Sequence, residues 1–108
     1  MAAPAKQIKI KTGVVKRITK EKVCYEKEAT QLEEKLDKMK AEGKDAHDIS
    51  KQGEVLQESR SMIPEAQKRL LKAYNDLHEL LKKEADLEGT EEYKEANAVM
   101  KAAEPHLA

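Results

Sequence analysis

The chain has 108 residues, of which 39% are charged, with 21 basic and 21 acidic side chains, and a further 39% are apolar, with no Phe, no Trp and three Tyr. A core without large aromatics is aliphatic and thin, which suits helices packed side by side and excludes a β-sandwich or a nucleotide-binding α/β sheet. The longest apolar run is three residues, as at Ala98-Val99-Met100, and no apolar leader opens the sequence, so neither a membrane span nor a secretory signal is expected. A single cysteine, Cys24, permits no internal disulfide and fits a reducing compartment, cytosol or nucleus.

Residues 1–5 read as a frayed start. From Ile8, alternate steps of four and three residues give Ile8, Lys11, Val15, Ile18, Lys22, Tyr25, Ala29, Leu32, Leu36 and Met39, eight of which are apolar or aromatic. A stripe of that length is a heptad pattern and predicts one long helix, in which Thr12 before Gly13 offers a late N-cap. Gly43 suits the left-handed position just past its end.

Asp45 then offers an N-cap, with Asp48 as an acidic companion in the first turn. The second stripe runs Ile49, Gln52, Leu56, Ser59, Ile63, Ala66, Leu70, Ala73, Leu77, Leu80, Glu84 and Leu87, with nine of twelve apolar. Its register survives Pro64, so the proline predicts a kink and not a new domain. Gly89 breaks the chain, Thr90 caps a third segment opened by Glu91 and Glu92, and Tyr93, Ala96, Met100 and Ala103 form its stripe up to Pro105.

The predicted fold class is therefore all-α, an elongated antiparallel three-helix bundle, coiled-coil-like, with the second helix kinked near Pro64. One domain is expected over residues 1–108, with helices at about residues 6–41, 46–87 and 90–104. The short third helix covers only the end where the first begins. The opposite end, around Leu32, Leu36, Met39, Ile49 and Leu56, is predicted to be a two-helix hairpin with one flank open, a candidate interaction surface.

No phosphate loop, dinucleotide fingerprint or nucleophile elbow occurs, and no catalytic residue, cofactor or metal site is expected. Cys24 has no base placed near it and reads as a buried or boundary packing residue; capping explains Asp45 and Asp48, so the Asp45, His47 and Asp48 cluster is not read as a ligand set. Tyr25 and Tyr93 fall on their stripes and are expected in the core.

Charge is more informative. Residues 1–23 carry seven basic side chains against Glu21 alone, and the remainder is acidic by the same margin. A basic helix start opposes the macrodipole, so the acidic start of the third helix, Glu91, Glu92 and Glu95, is one expected counterweight. An acidic partner meeting Lys11, Lys16, Arg17 and Lys20 is the other. Nucleic acid is a poor partner for a chain of zero net charge without an aromatic platform, and a membrane is a poor one because the apolar face of the first helix is used in the bundle.

Specific strings add a resemblance. Ile8-Lys9-Ile10-Lys11-Thr12-Gly13-Val14-Val15-Lys16-Arg17, Lys20-Glu21-Lys22-Val23, Tyr25-Glu26-Lys27-Glu28-Ala29, Leu56-Gln57-Glu58-Ser59-Arg60, Met62-Ile63-Pro64 and Glu91-Glu92-Tyr93-Lys94-Glu95-Ala96 follow in order. Together they resemble the tubulin-specific chaperone A family, also called tubulin-folding cofactor A, over nearly the whole chain. The resemblance implies a cytoplasmic, cytoskeleton-associated binder of β-tubulin folding intermediates. It would take them after chaperonin release, pass them on toward αβ-heterodimer assembly, and act without enzymatic activity. On the matching strings, Lys11, Lys16, Arg17, Lys20, Gln57, Glu58 and Arg60 are the candidate partner-binding residues. A monomer is expected over a dimer; the alternative function is a structural coiled-coil module that self-associates through the open flank.

Overall fold

The computed structural model describes residues 3–107; Met1 and Ala2, the first two residues of the predicted frayed start, lie outside the described residues, as does Ala108. Three α-helices follow in order, α1 (Pro4–Ala41), α2 (Ala46–Lys83) and α3 (Glu91–Ala103), with 3-10 turns at Ala85–Leu87 and Glu104–His106. The predicted frayed start is corrected at Pro4 and Ala5, which are helical. Proline is favourable at the first helical position, where its missing N–H has no intrahelical partner to lose and its φ is already set. Thr12 is likewise not a cap. The helix runs through it, and its buried hydroxyl donates to the Ile8 carbonyl at 2.7 Å.

The other end signals act as expected. At the end of α1, Gly43 takes φ 68°. Its N–H donates to the Lys40 carbonyl at 3.2 Å and that of Lys44 to Met39 at 3.1 Å, the paired bonds that satisfy two otherwise open carbonyls. Asp45 accepts the His47 N–H at 3.2 Å to start α2. Thr90 accepts the Tyr93 N–H at 3.3 Å to start α3. Each cap contributes about 1 kcal/mol.

α2 continues through Pro64, which removes the amide donor that the Arg60 carbonyl would otherwise receive and bends the helix there. It ends at Lys83, four residues before the end of its stripe. Beyond Glu84 the backbone tightens into the 3-10 turn, and this lets Leu87 pack on the core while Thr90 reaches its capping position.

The result is a rod of 63 × 21 × 20 Å. Its length is that of α1 and α2, each about 57 Å at 1.5 Å per residue. The two run antiparallel side by side, and α3 packs chiefly against α1 over the half where α1 begins. That half holds the larger core: Ile8, Val15 and Ile18 of α1, Leu70, Leu77 and Leu81 of α2, and Ala96, Met100 and Ala103 of α3. The two-helix half buries only Ala29, Leu36 and Leu56, edged by Leu32, Ile49 and Ile63. Between the two lie Ala66, fully buried, and Lys22, whose side chain is 7% exposed with Nζ 3.8 Å from Glu26. The seam of the two-helix half also carries Gln52 Nε2 and Ser59 Oγ, both buried with no hydrogen-bond partner in the protein. The smaller core is thus also the more polar one.

Candidate partner-binding surface

The structure separates the candidate residues into three places. Lys16 and Lys20 line a groove between α1 and α3, together with Thr19, Ala98, Val99 and Ala102. Lys11 and Arg17 lie on the other side of α1, along its groove with α2, where Val14, Ala73 and Asp76 are neighbours of both. Gln57, Glu58 and Arg60 are exposed on α2 in the two-helix half. Residues adjacent in sequence diverge because each step turns a helix by about 100°.

Their charges are used differently as well. Arg17 Nε is 3.9 Å from Glu21, which also takes Arg69 Nη1 at 3.1 Å from across the α1–α2 seam. Arg60 Nη2 reaches Glu33 on α1 at 3.0 Å. Lys11, Lys16 and Lys20 make no ion pair within 4.0 Å among the described residues. The start of α3 lies beside the basic start of α1 as expected, with Glu92 sharing a cleft with Lys6, Lys9 and Ile10. Yet Glu91, Glu92 and Glu95 form no ion pair among the described residues. Exposed lysines gain too little from such pairs, about 0–1 kcal/mol, to give up their freedom in water. The positive charge of α1 is therefore left open to a partner.

Other reactive groups have structural explanations or lie free. Cys24 is exposed, which corrects the packing role read from the sequence. It sits one position off the stripe, between Lys22 and Tyr25, and faces water. Tyr25 and Tyr93 are half-buried at the edge and not inside the core. The Tyr93 hydroxyl donates to the Leu81 carbonyl at 3.2 Å, tying α3 to α2. Tyr74 donates to Glu104 at 3.2 Å and stacks on His78, the ring centroids 6.5 Å apart. Burial first, then the negative Glu104 and its hydrogen bond, raise the Tyr74 pKa above 10.0. The contact is thus present at neutral pH and is lost only as pH climbs through that raised value. Among the described residues, no group of three or more His, Cys, Asp or Glu side chains is placed to hold a metal ion, and no helix is long and apolar enough to cross a membrane.

Two surface features were missed by the sequence reading. One is the α3 wall of the groove, Ala98, Val99 and Ala102, where small residues leave a cleft of about 260 Å³. The other is Val55 and Met62 on α2, 46% and 39% exposed and seven residues apart on one edge of the two-helix half. Both fall outside the main stripes, which drew attention to the core positions instead.

Comparison with known proteins places these features in context. A family model for tubulin binding cofactor A matches residues 3–100. Tubulin-specific chaperone A of Homo sapiens is 62% identical over 101 residues, 93% of this chain and 94% of the relative. The structure of human tubulin chaperone cofactor A superposes with a TM-score of 0.83 at 57% identity, over 94% of this chain and 99% of that one. Tubulin folding cofactor A from Arabidopsis thaliana gives a TM-score of 0.85 at 40% identity, over 94% and 96% of the two chains.

Proposed function

The chain belongs to the tubulin binding cofactor A family, and from that premise we propose that it binds and stabilises β-tubulin folding intermediates released from the cytosolic chaperonin. It passes them on toward assembly with α-tubulin, acting in the cytoplasm as a monomeric, stoichiometric binder and not as an enzyme. The observation that carries this reading is the family match across residues 3–100, joined to relatives that are themselves named chaperones and folding cofactors. Neither nucleic acid nor membrane enters the reading.

Mechanistically, the protein works by contact alone. A rod 63 Å long presents a long, polar flank to a client without enclosing it. Lys11, Lys16 and Lys20, which make no ion pair within 4.0 Å among the described residues, steer an acidic client surface toward α1, and Arg17 joins them at the expense of a weak 3.9 Å pair. Gln57, Glu58 and Arg60 supply directional polar contacts on α2 near the Pro64 bend, with Arg60 drawn from its pair with Glu33. The exposed Val55 and Met62 also favour a second reading, self-association through the two-helix half.

Electrostatic steering has a direct signature in solution. The association rate with chaperonin-released β-tubulin, followed by stopped flow, should fall at least about tenfold between about 0.05 M and 0.5 M salt, because screening shortens the reach of the lysines. A rate independent of salt would remove charge capture from the mechanism.

A further inference from the structure

The groove between α1 and α3 combines a wall of small apolar residues with two lysines. Its α3 wall consists of Ala98, Val99 and Ala102, adjacent to the buried face that Ala96, Met100 and Ala103 turn to the core. On the α1 wall, Thr19 donates its hydroxyl to the Val15 carbonyl at 2.8 Å, so its hydrogen-bonding demand is met inside its own helix. The two remaining lining residues, Lys16 and Lys20, are one turn apart and make no ion pair within 4.0 Å among the described residues. Lys9, two turns before Lys16, extends the same basic edge toward the start of α1. The acidic residue of α3 nearest in sequence, Glu95, lies one turn before Ala98 and Val99 and pairs with neither lysine at that distance. The cleft therefore has a small-residue apolar floor under an uncompensated positive rim, in contrast to the α1–α2 groove on the other side, where Glu21 and Asp76 sit among the basic residues.

We propose that this groove is the anchoring site for an acidic amphipathic segment of the client, a reading that rests on the tubulin-binding function above. An aliphatic side chain of that segment enters between Ala98, Val99 and Ala102, and its carboxylates take Lys16 and Lys20. The apolar insertion gives the contact its lifetime, since desolvated anchors carry most of the energy of an interface, and the lysine rim gives it orientation and speed. Lys11 and Arg17, on the far side of α1, act only at long range in this arrangement.

The test is equilibrium binding of chaperonin-released β-tubulin to the full chain at fixed salt, read by fluorescence anisotropy. Lys16→Glu with Lys20→Glu should weaken binding at least about tenfold, and Ala98→Trp, which fills the cleft from an exposed position, should do the same without changing charge. Lys35→Glu with Lys68→Glu, the same net-charge change at exposed sites away from the groove, should stay within about twofold. Circular dichroism verifies that each variant keeps its helices. The proposal is overturned if wild type binds while Ala98→Trp and the Lys16/Lys20 variant both stay within about twofold of it, or if the Lys35/Lys68 variant loses as much as they do. Wild type that fails to bind β-tubulin at all sinks the functional reading itself, and the groove with it.

Discussion

Leu77→Ala is expected to lower the free energy of unfolding by about 2–5 kcal/mol, measured by urea or thermal denaturation. Leu77 is fully buried in the core shared by all three helices, two turns from the fully buried Leu70. The removed atoms leave a hole that the surrounding side chains of this core, themselves buried, would have to move to fill. Total stabilities of small domains are about 5–15 kcal/mol, so the loss is a large share. It corresponds to a fall of roughly 10–25 °C in the unfolding midpoint. Leu36→Ala, in the two-helix half with one flank open to water, should sit at the low end of the same range because water can occupy the space left behind. A loss below about 1 kcal/mol for Leu77→Ala would contradict the assignment of the main core.

Hydrogen exchange should divide the rod into two regions of unequal stability. Amides of residues 27–60 are expected to exchange at least about a hundredfold faster than those of residues 70–81. The cause lies in the seam. The distal core buries Ala29, Leu36 and Leu56 and carries the unpartnered Gln52 Nε2 and Ser59 Oγ, while the proximal core buries nine residues from three helices. Lys22 stands at the boundary. Its stem fills the seam, but a charged tip with one carboxylate 3.8 Å away couples the two cores poorly compared with leucine. Pro64, two residues before Ala66 on the facing helix, removes a backbone hydrogen bond close to the same level. The hairpin end can therefore open without unfolding the α3 end. Equal protection in the two regions would show that the rod opens as one cooperative unit and that Lys22 marks no boundary.

Much of this fold was legible because its signals are local. The heptad stripes named Ile8, Val15, Ile18, Leu56, Leu70 and Leu77, all buried, and Gly43, Asp45 and Thr90 mark helix ends by chemistry that acts within four residues. The misreadings have equally local causes. Thr12-Gly13 resembles a helix start, but Thr12 can satisfy its hydroxyl inside a helix, and Pro4 had already supplied the start. Leu87 kept the register of α2 while the backbone had changed to a tighter turn, since side-chain spacing alone does not distinguish the two over one turn.

The candidate partner-binding surface was less legible. Lys11, Lys16, Arg17 and Lys20 form one cluster in sequence and two in space, on opposite sides of α1. The groove that receives two of them takes its other wall from Ala98, Val99 and Ala102, and nothing in the local pattern of either helix shows that they meet. Packing of α3 on α1 creates this groove, so it becomes visible only with the tertiary structure.

Selective binding of β-tubulin can be measured by size-exclusion chromatography. The purified chain is mixed in turn with chaperonin-released β-tubulin, with α-tubulin and with the intact αβ heterodimer, without nucleotide. A one-to-one complex with β-tubulin is expected, with no shift for the other two. No complex with β-tubulin, or equal complexes with all three, would contradict selective binding.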